Sequence, residues 1–293
     1  MAQPVSRPLP QIERGVVRSV LTTSAKALAT ISDTPRLDAE LLMGHALGVS
    51  RDELLMRHLD AAVPGGFAPL LARRLNHEPL AYITGTRDFW TISLSVAQGV
   101  LIPRPDSETL IEAAVDHFGS RAPKRVLDLG TGSGALLLAA LAQWPDAHGL
   151  GIDASEKAIK QAEMNAADLG MADRARFQLG DWASHLTGQF DLTLCNPPYV
   201  ETIATLSPEV MNEPHSALFA GADGLDDYRR IIPQLAALIA PQGLIAMEIG
   251  HMQGAAVSAL FAQSGLATSC CKDLGGRDRA ILHFALGFTE QLA

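Results

Sequence analysis

From Lys124 onward, short apolar runs and helical runs take turns, and this alternation constrains the fold more than any other feature of the chain. Runs suited to buried strands fall at 125–129, 148–152, 175–179, 190–195, 244–249, 267–271 and 280–284. Helices fit between most of them; the one at 155–169 starts on a serine and is followed by Gly170, residues that favour the two ends of a helix. Strands joined through helices run parallel, so the pattern predicts an α/β fold with a seven-stranded, mostly parallel sheet covered on both faces. Such sheets bind ligands beyond the carboxyl ends of their strands, and the strand-to-helix turns are where chemistry is expected.

Three successive strand ends carry residues suited to a nucleoside. Val126-Leu127-Asp128-Leu129-Gly130-Thr131-Gly132-Ser133-Gly134-Ala135 runs from a strand into an apolar helix over 136–144. Its glycines let the backbone turn sharply and let a ligand approach the main chain. Residues 130–135 also satisfy the dinucleotide pattern, so this loop alone leaves NAD and other nucleoside cofactors open. The next strand ends Leu150-Gly151-Ile152-Asp153, and a carboxylate there can accept from both hydroxyls of a ribose. The third ends Leu179-Gly180-Asp181-Trp182, where Asp181 can accept from an adenine amino group while Trp182 packs on the ring. One such acid is often only a helix cap. A glycine loop, an acid and an Asp-Trp pair on consecutive strands favour a nucleoside pocket instead.

The fourth strand ends in Cys195-Asn196-Pro197-Pro198-Tyr199, which reads as a device for holding a planar NH2 group. Each proline bars the α region for the residue before it, so Asn196 and Pro197 are extended. Neither proline has an N–H, so the backbone offers carbonyl acceptors and few donors. Asn196 adds a side-chain carbonyl and Tyr199 an aromatic face. Two acceptors beside a flat ring suit an amide or an exocyclic amine, each with two N–H bonds to donate.

Ahead of the alternating region, residues 11 to about 80 read as helices only. Thr34-Pro35 is a cap followed by proline, opening a helix over 36–47 with Gly48 behind it; Ser50-Arg51-Asp52-Glu53 is a capping box, and 69–76 is a further short helix. Between 81 and 100, alternating stretches broken by Gly85 and Gly99 read as a β-hairpin. The expected division is therefore a helical domain over 1–80 that binds a macromolecular substrate or covers the site, a hairpin linker over 81–105, and an α/β domain over 106–293.

The chain of 293 residues is long enough for two domains. Its net charge of −9, with a pI near 5.4, argues against a grip on nucleic-acid phosphates, which needs clustered Lys and Arg. Three cysteines, Cys195, Cys270 and Cys271, make no disulfide framework, and the nine histidines show no zinc-site spacing, so no metal is expected. Residues 1–8 lack the apolar core of a signal peptide, and no apolar run is long enough to span a bilayer. The expectation is a cytoplasmic protein with no membrane partner, and a monomer, because no exposed apolar repeat is evident.

The succession D-L-G-T-G-S-G, G-I-D, G-D-W and N-P-P-Y resembles a class I (Rossmann-like) methyltransferase using S-adenosylmethionine. The flanks narrow this: Leu37-Asp38-Ala39-Glu40-Leu41-Leu42, Glu78-Pro79-Leu80-Ala81-Tyr82-Ile83-Thr84-Gly85, Ile102-Pro103-Arg104-Pro105-Asp106-Ser107-Glu108 and Asn212-Glu213-Pro214 are similar to the HemK/PrmC family. The similarity runs from about residue 35 to 284. Members methylate the side-chain amide, at N5, of the glutamine in the Gly-Gly-Gln motif of peptide chain release factors. The resemblance thus implies S-adenosylmethionine as cofactor and class 1 release factors as partners in translation termination. It assigns Gly130, Thr131, Gly132, Ser133, Gly134, Asp153, Trp182 and Asn196 to the cofactor, and Asn196, Pro197, Pro198 and Tyr199 to the reacting amide. Asp181 is added by analogy with related amino methyltransferases, and Phe89, Arg104 and Glu108 are expected to help close the site. His77 departs from the family's usual glycine, and Asn212 from the aromatic that often precedes Glu-Pro.

Other readings share parts of this pattern. An adenine-N6 methyltransferase of DNA or RNA uses the same N-P-P-Y logic, since adenine also presents a planar NH2, but the acidic balance and the lack of a basic recognition segment oppose it. An NAD-dependent oxidoreductase rests on the glycine loop and leaves N-P-P-Y unexplained. A non-catalytic cofactor-binding module has no use for the acceptor pair.

Overall fold

The structure, a computed structural model, describes residues 15–285 and divides into two units. The N-terminal run 1–8, expected to be no signal peptide, lies outside the described residues. Among the described residues, the first unit comprises 15–85 together with Leu206–Asn212, and the second takes the remainder.

Among the described residues the first unit contains five α-helices, α1 (Val17–Leu28), α2 (Pro35–Leu47), α3 (Arg51–Arg57), α4 (Phe67–Leu75) and α5 (Leu80–Thr84). They close around Leu21, Leu42, Met43, Leu54, Phe67 and Leu71, all fully buried. Helix α2 ends as expected on Gly48, whose φ of 70° suits glycine. Thr34 does not cap it with its side chain: the hydroxyl donates to Asp38 Oδ1 at 3.1 Å. Ser50 does cap α3, accepting from the Glu53 N–H at 3.2 Å. The buried Arg74 guanidinium donates to Asp38 Oδ2 and to Glu209 Oε2, both at 2.8 Å, which fastens the distant segment Leu206–Asn212 to this unit. His77 takes a φ of 64°, the left-handed region where glycine costs least. The two departures from the family pattern meet here, because Asn212 Nδ2 donates to the His77 carbonyl at 3.1 Å.

In the second unit, the hairpin consists of β1 (Thr86–Phe89) and β2 (Ile92–Ser95), paired antiparallel. It starts later than the expected 81, since residues 80–84 continue the helical region as α5. Phe89, Ile92 and Leu94 are buried in the core of this unit, so the hairpin is part of its packing. A 3-10 turn, Pro105–Ser107, leads into α6 (Glu108–Phe118).

The sheet follows the predicted alternation closely: β3 (Arg125–Leu129), β4 (His148–Asp153), β5 (Ala175–Leu179), β6 (Phe190–Cys195), β7 (Ile239–Glu248), β8 (Ser269–Lys272) and β9 (Asp278–Phe284). Their spatial order is β5-β4-β3-β6-β7-β9-β8, parallel throughout except for the antiparallel β9 against β7 and β8. Helices α7 (Ala135–Gln143), α8 (Glu156–Asp168), α9 (Asp226–Leu235) and α10 (Gly254–Gln263) complete the layers. Successive strand residues go to opposite cores: Leu244 and Ala246 join α6 and α7 in one, while Ile245 and Met247 join α9 and α10 in the other. The chain enters the sheet at β3, builds outward to β5, and returns to the other side of β3 as β6. That reversal is the topological switch point at which such sheets bind ligands.

Candidate active site

Register decides what meets at the switch point. Leu129 pairs with Ile152 on one side and Cys195 on the other, and Cys195 pairs with Met247. The next residue on each strand is therefore level with its neighbours: Asp153, Gly130, Asn196 and Glu248 form a row along the carboxyl edge.

The glycine loop is pinned to the tip of β4. The N–H groups of Gly130 and Thr131 donate to the Ile152 carbonyl at 2.8 and 2.9 Å. Gly130, Gly132 and Gly134 have φ of 75°, 56° and 84°, conformations that disfavour side chains. A Cβ on Gly130 would also crowd the Trp182 ring at 3.1 Å. Asp153 accepts from the Gly132 N–H through Oδ2 and from the Ser155 N–H through Oδ1, each at 2.9 Å, leaving lone-pair capacity on both oxygens. Burial raises its pKa against the pull of those backbone donors. Behind the loop, Asp128 is fully buried; Oδ2 accepts from the Thr131 hydroxyl at 2.7 Å and Oδ1 has no hydrogen-bond partner. Burial pushes its carboxyl up to about 7.

A cavity of about 380 Å³ lies over these tips, within the range of small-molecule sites. Of the residues expected at the cofactor, Gly130, Thr131, Gly132, Ser133, Asp153, Asp181, Trp182 and Asn196 line it; Gly134 does not, lying instead at the start of α7. Asp181 is at the wall, but Arg230 donates to both of its oxygens, at 2.6 and 2.7 Å. Asp227, which the sequence reading passed over, also lines the cavity, and Trp182 and Arg230 both donate hydrogen bonds to it.

Asn196 and Pro198 line the same cavity; Pro197 is buried beside them and Tyr199 half-buried. Asn196 Nδ2 donates to Ser107 Oγ at 3.0 Å, and the Ser107 hydroxyl in turn donates to Glu248 Oε2. Tyr199 donates to Glu248 Oε1 at 3.2 Å. The Tyr199 carbonyl is held by Gln253 Nε2 at 3.0 Å, which also reaches the Gly224 carbonyl at 3.2 Å. Gly224 is bare of necessity, because a Cβ there would come within 2.3 Å of the Tyr199 carbonyl. Burial pushes the Glu248 carboxyl up to about 7, opposed by the Ser107 hydroxyl and the Arg279 guanidinium. Burial and the facing Glu248 raise the Tyr199 phenol.

Phe89 and Arg104 are at the cavity as expected, and Arg104 is paired with the buried Glu213. Glu108 is not among the residues that line it: it accepts from the Trp90 N–H at 2.9 Å, tying the hairpin to α6. Ser107 and Glu248, like Asp227, are not singled out by the sequence. Both carried a signal: Ser107 lies inside the Pro-Arg-Pro-Asp-Ser-Glu segment, and Glu248 is a lone acid at the end of an apolar strand, like Asp153. Among the described residues, no three or more His, Cys, Asp or Glu converge as metal ligands would, and no helix is long and apolar enough to cross a membrane.

A family described as the PrmC N-terminal domain matches residues 19–85, and one described as a methyltransferase domain matches residues 120–263. The release factor glutamine methyltransferase of Rhodospirillum rubrum is 44% identical over 257 residues, covering 85% of this chain and 79% of the relative. That of Caulobacter vibrioides is 43% identical over 258 residues, covering 85% and 89%. Among solved structures, the catalytic domain of hMettl16 in complex with a MAT2A 3′UTR hairpin superposes with a TM-score of 0.55 over 75% of this chain and 82% of that one. At 16% identity this likeness shows the fold alone.

Proposed function

Because the chain belongs to the release factor glutamine methyltransferase family, it is an S-adenosylmethionine-dependent glutamine methyltransferase, and we propose that it methylates N5 of the glutamine in the Gly-Gly-Gln motif of class 1 release factors, holding that amide at Asn196 to Tyr199. The observation that carries the reading is that Asn196 and Pro198 share one cavity with the glycine loop, Asp153 and Trp182.

The residues present fit S-adenosylmethionine. The loop's left-handed glycines leave the main chain open to a ligand, Asp153 keeps acceptor capacity for ribose hydroxyls, and Trp182 lines the same cavity beside Gly130. When bound there, the cofactor supplies an electrophilic methyl group carried on sulfonium. Asp181 is retained as an adenine acceptor, in competition with Arg230.

An amide nitrogen is a poor nucleophile because its lone pair is delocalised into the carbonyl. Asn196 Oδ1 and the Pro197 carbonyl each accept one of its two N–H bonds, which fixes the nitrogen and stabilises the positive charge that grows on it. The Tyr199 ring packs against the flat amide, and its hydroxyl is anchored on Glu248. No general base is assigned, since an alkylated amide nitrogen bearing an extra proton is acidic enough to lose it to water. The protein acts as a monomer in the cytoplasm and engages its partner without direct contact to nucleic acid, a reading supported by the acidic balance and by the absence of a disulfide framework in the sequence.

Mass spectrometry of a release factor incubated with the protein and S-adenosylmethionine tests this. One methyl on the Gly-Gly-Gln glutamine is expected, and Asn196→Ala should lower turnover at least roughly tenfold, because a substrate N–H is left unpaired. Absence of that methyl while the cofactor still binds, or full turnover by the variant, would refute the assignment.

A further inference from the structure

We propose that Ser107 and Glu248 form a hydrogen-bond relay that decides which end of the Asn196 amide, carbonyl or NH2, faces the substrate. The proposal rests on the role given to Asn196 above and concerns what sets its orientation.

An asparagine amide is nearly symmetric in shape, so packing alone chooses poorly between its two flips. Only a partner of fixed polarity can choose. Ser107 Oγ, 3.0 Å from Asn196 Nδ2, has a single proton. An ionised carboxylate accepts and never donates, so Glu248 takes that proton and leaves Ser107 able only to accept. The Asn196 NH2 must then turn toward Ser107, and its carbonyl oxygen is left for the cavity. Among the described residues no donor occupies that oxygen.

The relay is built into the fold. Ser107 is 3% exposed and Glu248 1%, so water does not compete for their hydrogen bonds. Glu248 stands beside Asn196 because Met247 and Cys195 are register partners, and Ser107 is held by the 3-10 turn between Arg104 and α6. The groups facing Glu248 are Ser107 and Asp106 from that turn, Cys195 and Tyr199 at the end of β6, Tyr228 from α9, and Arg279 from β9. Arg279 is the one cation among them, and Asp106 and Asp273 already pair with it, each at 3.0 Å. Tyr199 donates to the second carboxylate oxygen, so the Tyr199 ring and the Asn196 acceptor are oriented from one anion.

Protonating Glu248 reverses the relay. Its carboxyl hydroxyl donates to Ser107 Oγ, the Ser107 proton turns to Asn196, and the amide flips so that its oxygen meets Ser107. The cavity then receives the Asn196 NH2, a donor facing the donors of the substrate amide. With the carboxyl pushed up to about 7, the change falls near neutral pH.

The test compares wild type, Ser107→Ala, Ser107→Thr and Glu248→Gln, measuring turnover at saturating cofactor and release factor from pH 6 to 9, with cofactor affinity by calorimetry and melting temperature for each. Wild-type turnover should fall on the acid side with an apparent pKa near 7. Glu248→Gln does not titrate, so this acid limb disappears. Ser107→Ala should lose roughly tenfold or more in turnover with cofactor affinity unchanged, and Ser107→Thr should restore most of it. An acid limb that persists in Glu248→Gln, or wild-type turnover in Ser107→Ala, overturns the relay. Should Glu248→Gln fail to fold, the alanine and threonine variants decide alone. Loss of turnover in Asn196→Ala beside an unchanged Ser107→Ala would sink the relay and leave the role of Asn196 standing; wild-type turnover in Asn196→Ala removes both.

Discussion

Asp128→Asn should change stability in a pH-dependent way that reverses sign. Asp128 is fully buried behind the glycine loop, with an ordinary pKa near 3.8 pushed up to about 7 in the fold. Between those values the folded chain holds a proton that the unfolded chain has released, so stability falls as pH rises and levels off above 7. At about 1.4 kcal/mol per pH unit, this carboxyl costs roughly 4 kcal/mol of folding free energy at pH 7.5 that is absent at pH 4. Asparagine never ionises and escapes this loss. It has its own cost, because its carbonyl takes the Thr131 hydroxyl and its NH2 is left where Oδ1 has no partner. A buried unpaired donor costs about 1–3 kcal/mol. The variant should therefore be less stable than wild type by about 1–3 kcal/mol at pH 4, and more stable by about the same amount at pH 7.5. Urea unfolding of both proteins across that range measures the difference, and the other carboxylates cancel because they are common to both. A difference that stays constant with pH would show that Asp128 is ionised in the fold, and the reasoning from burial would be wrong.

Other perturbations follow from single contacts. Asp153→Ala removes the acceptor of the Gly132 and Ser155 N–H groups and of the ribose, and should weaken S-adenosylmethionine binding by about 1.5–3 kcal/mol; unchanged affinity by calorimetry would take Asp153 out of the pocket. Arg74→Met leaves Asp38, 4% exposed, without its cation and should destabilise the helical unit by about 3–5 kcal/mol, with earlier proteolysis within Leu206–Asn212; a loss below about 1 kcal/mol in urea would show that the pair is solvated. His77→Gly relieves a φ of 64° at the price of a more flexible unfolded chain, and should raise stability by about 0.5–1 kcal/mol; a lower melting temperature would mean that the imidazole makes up for its backbone strain.

The sequence by itself determined the strands and the kind of chemistry at their tips. Hydrophobic runs bounded by turns are local, so all seven sheet strands were legible, although β7 begins at Ile239, five residues before the expected 244, and Asn196-Pro197-Pro198-Tyr199 announced an acceptor site because prolines restrict their neighbours wherever they stand. The glycine loop and Asp153 were legible for the same reason, each following its own strand. What the sequence left undetermined was every choice that depends on which strands become neighbours and in what register. The alignment of Cys195 with Met247 sets Glu248 beside Asn196, and Ser107 meets them from 89 residues away in sequence. Asp181 looked free for an adenine until α9 brought Arg230 against it from 49 residues away, and Glu108 looked like a site residue until the hairpin took its carboxylate. Leu206–Asn212 lies inside the span 106–293 expected for the α/β domain, yet Glu209 answers Arg74 across 135 residues. Local propensity fixes where a side chain lies along its own element, whereas its hydrogen-bond partner is fixed by close approach of distant segments, which only the assembled sheet and its packed helices supply.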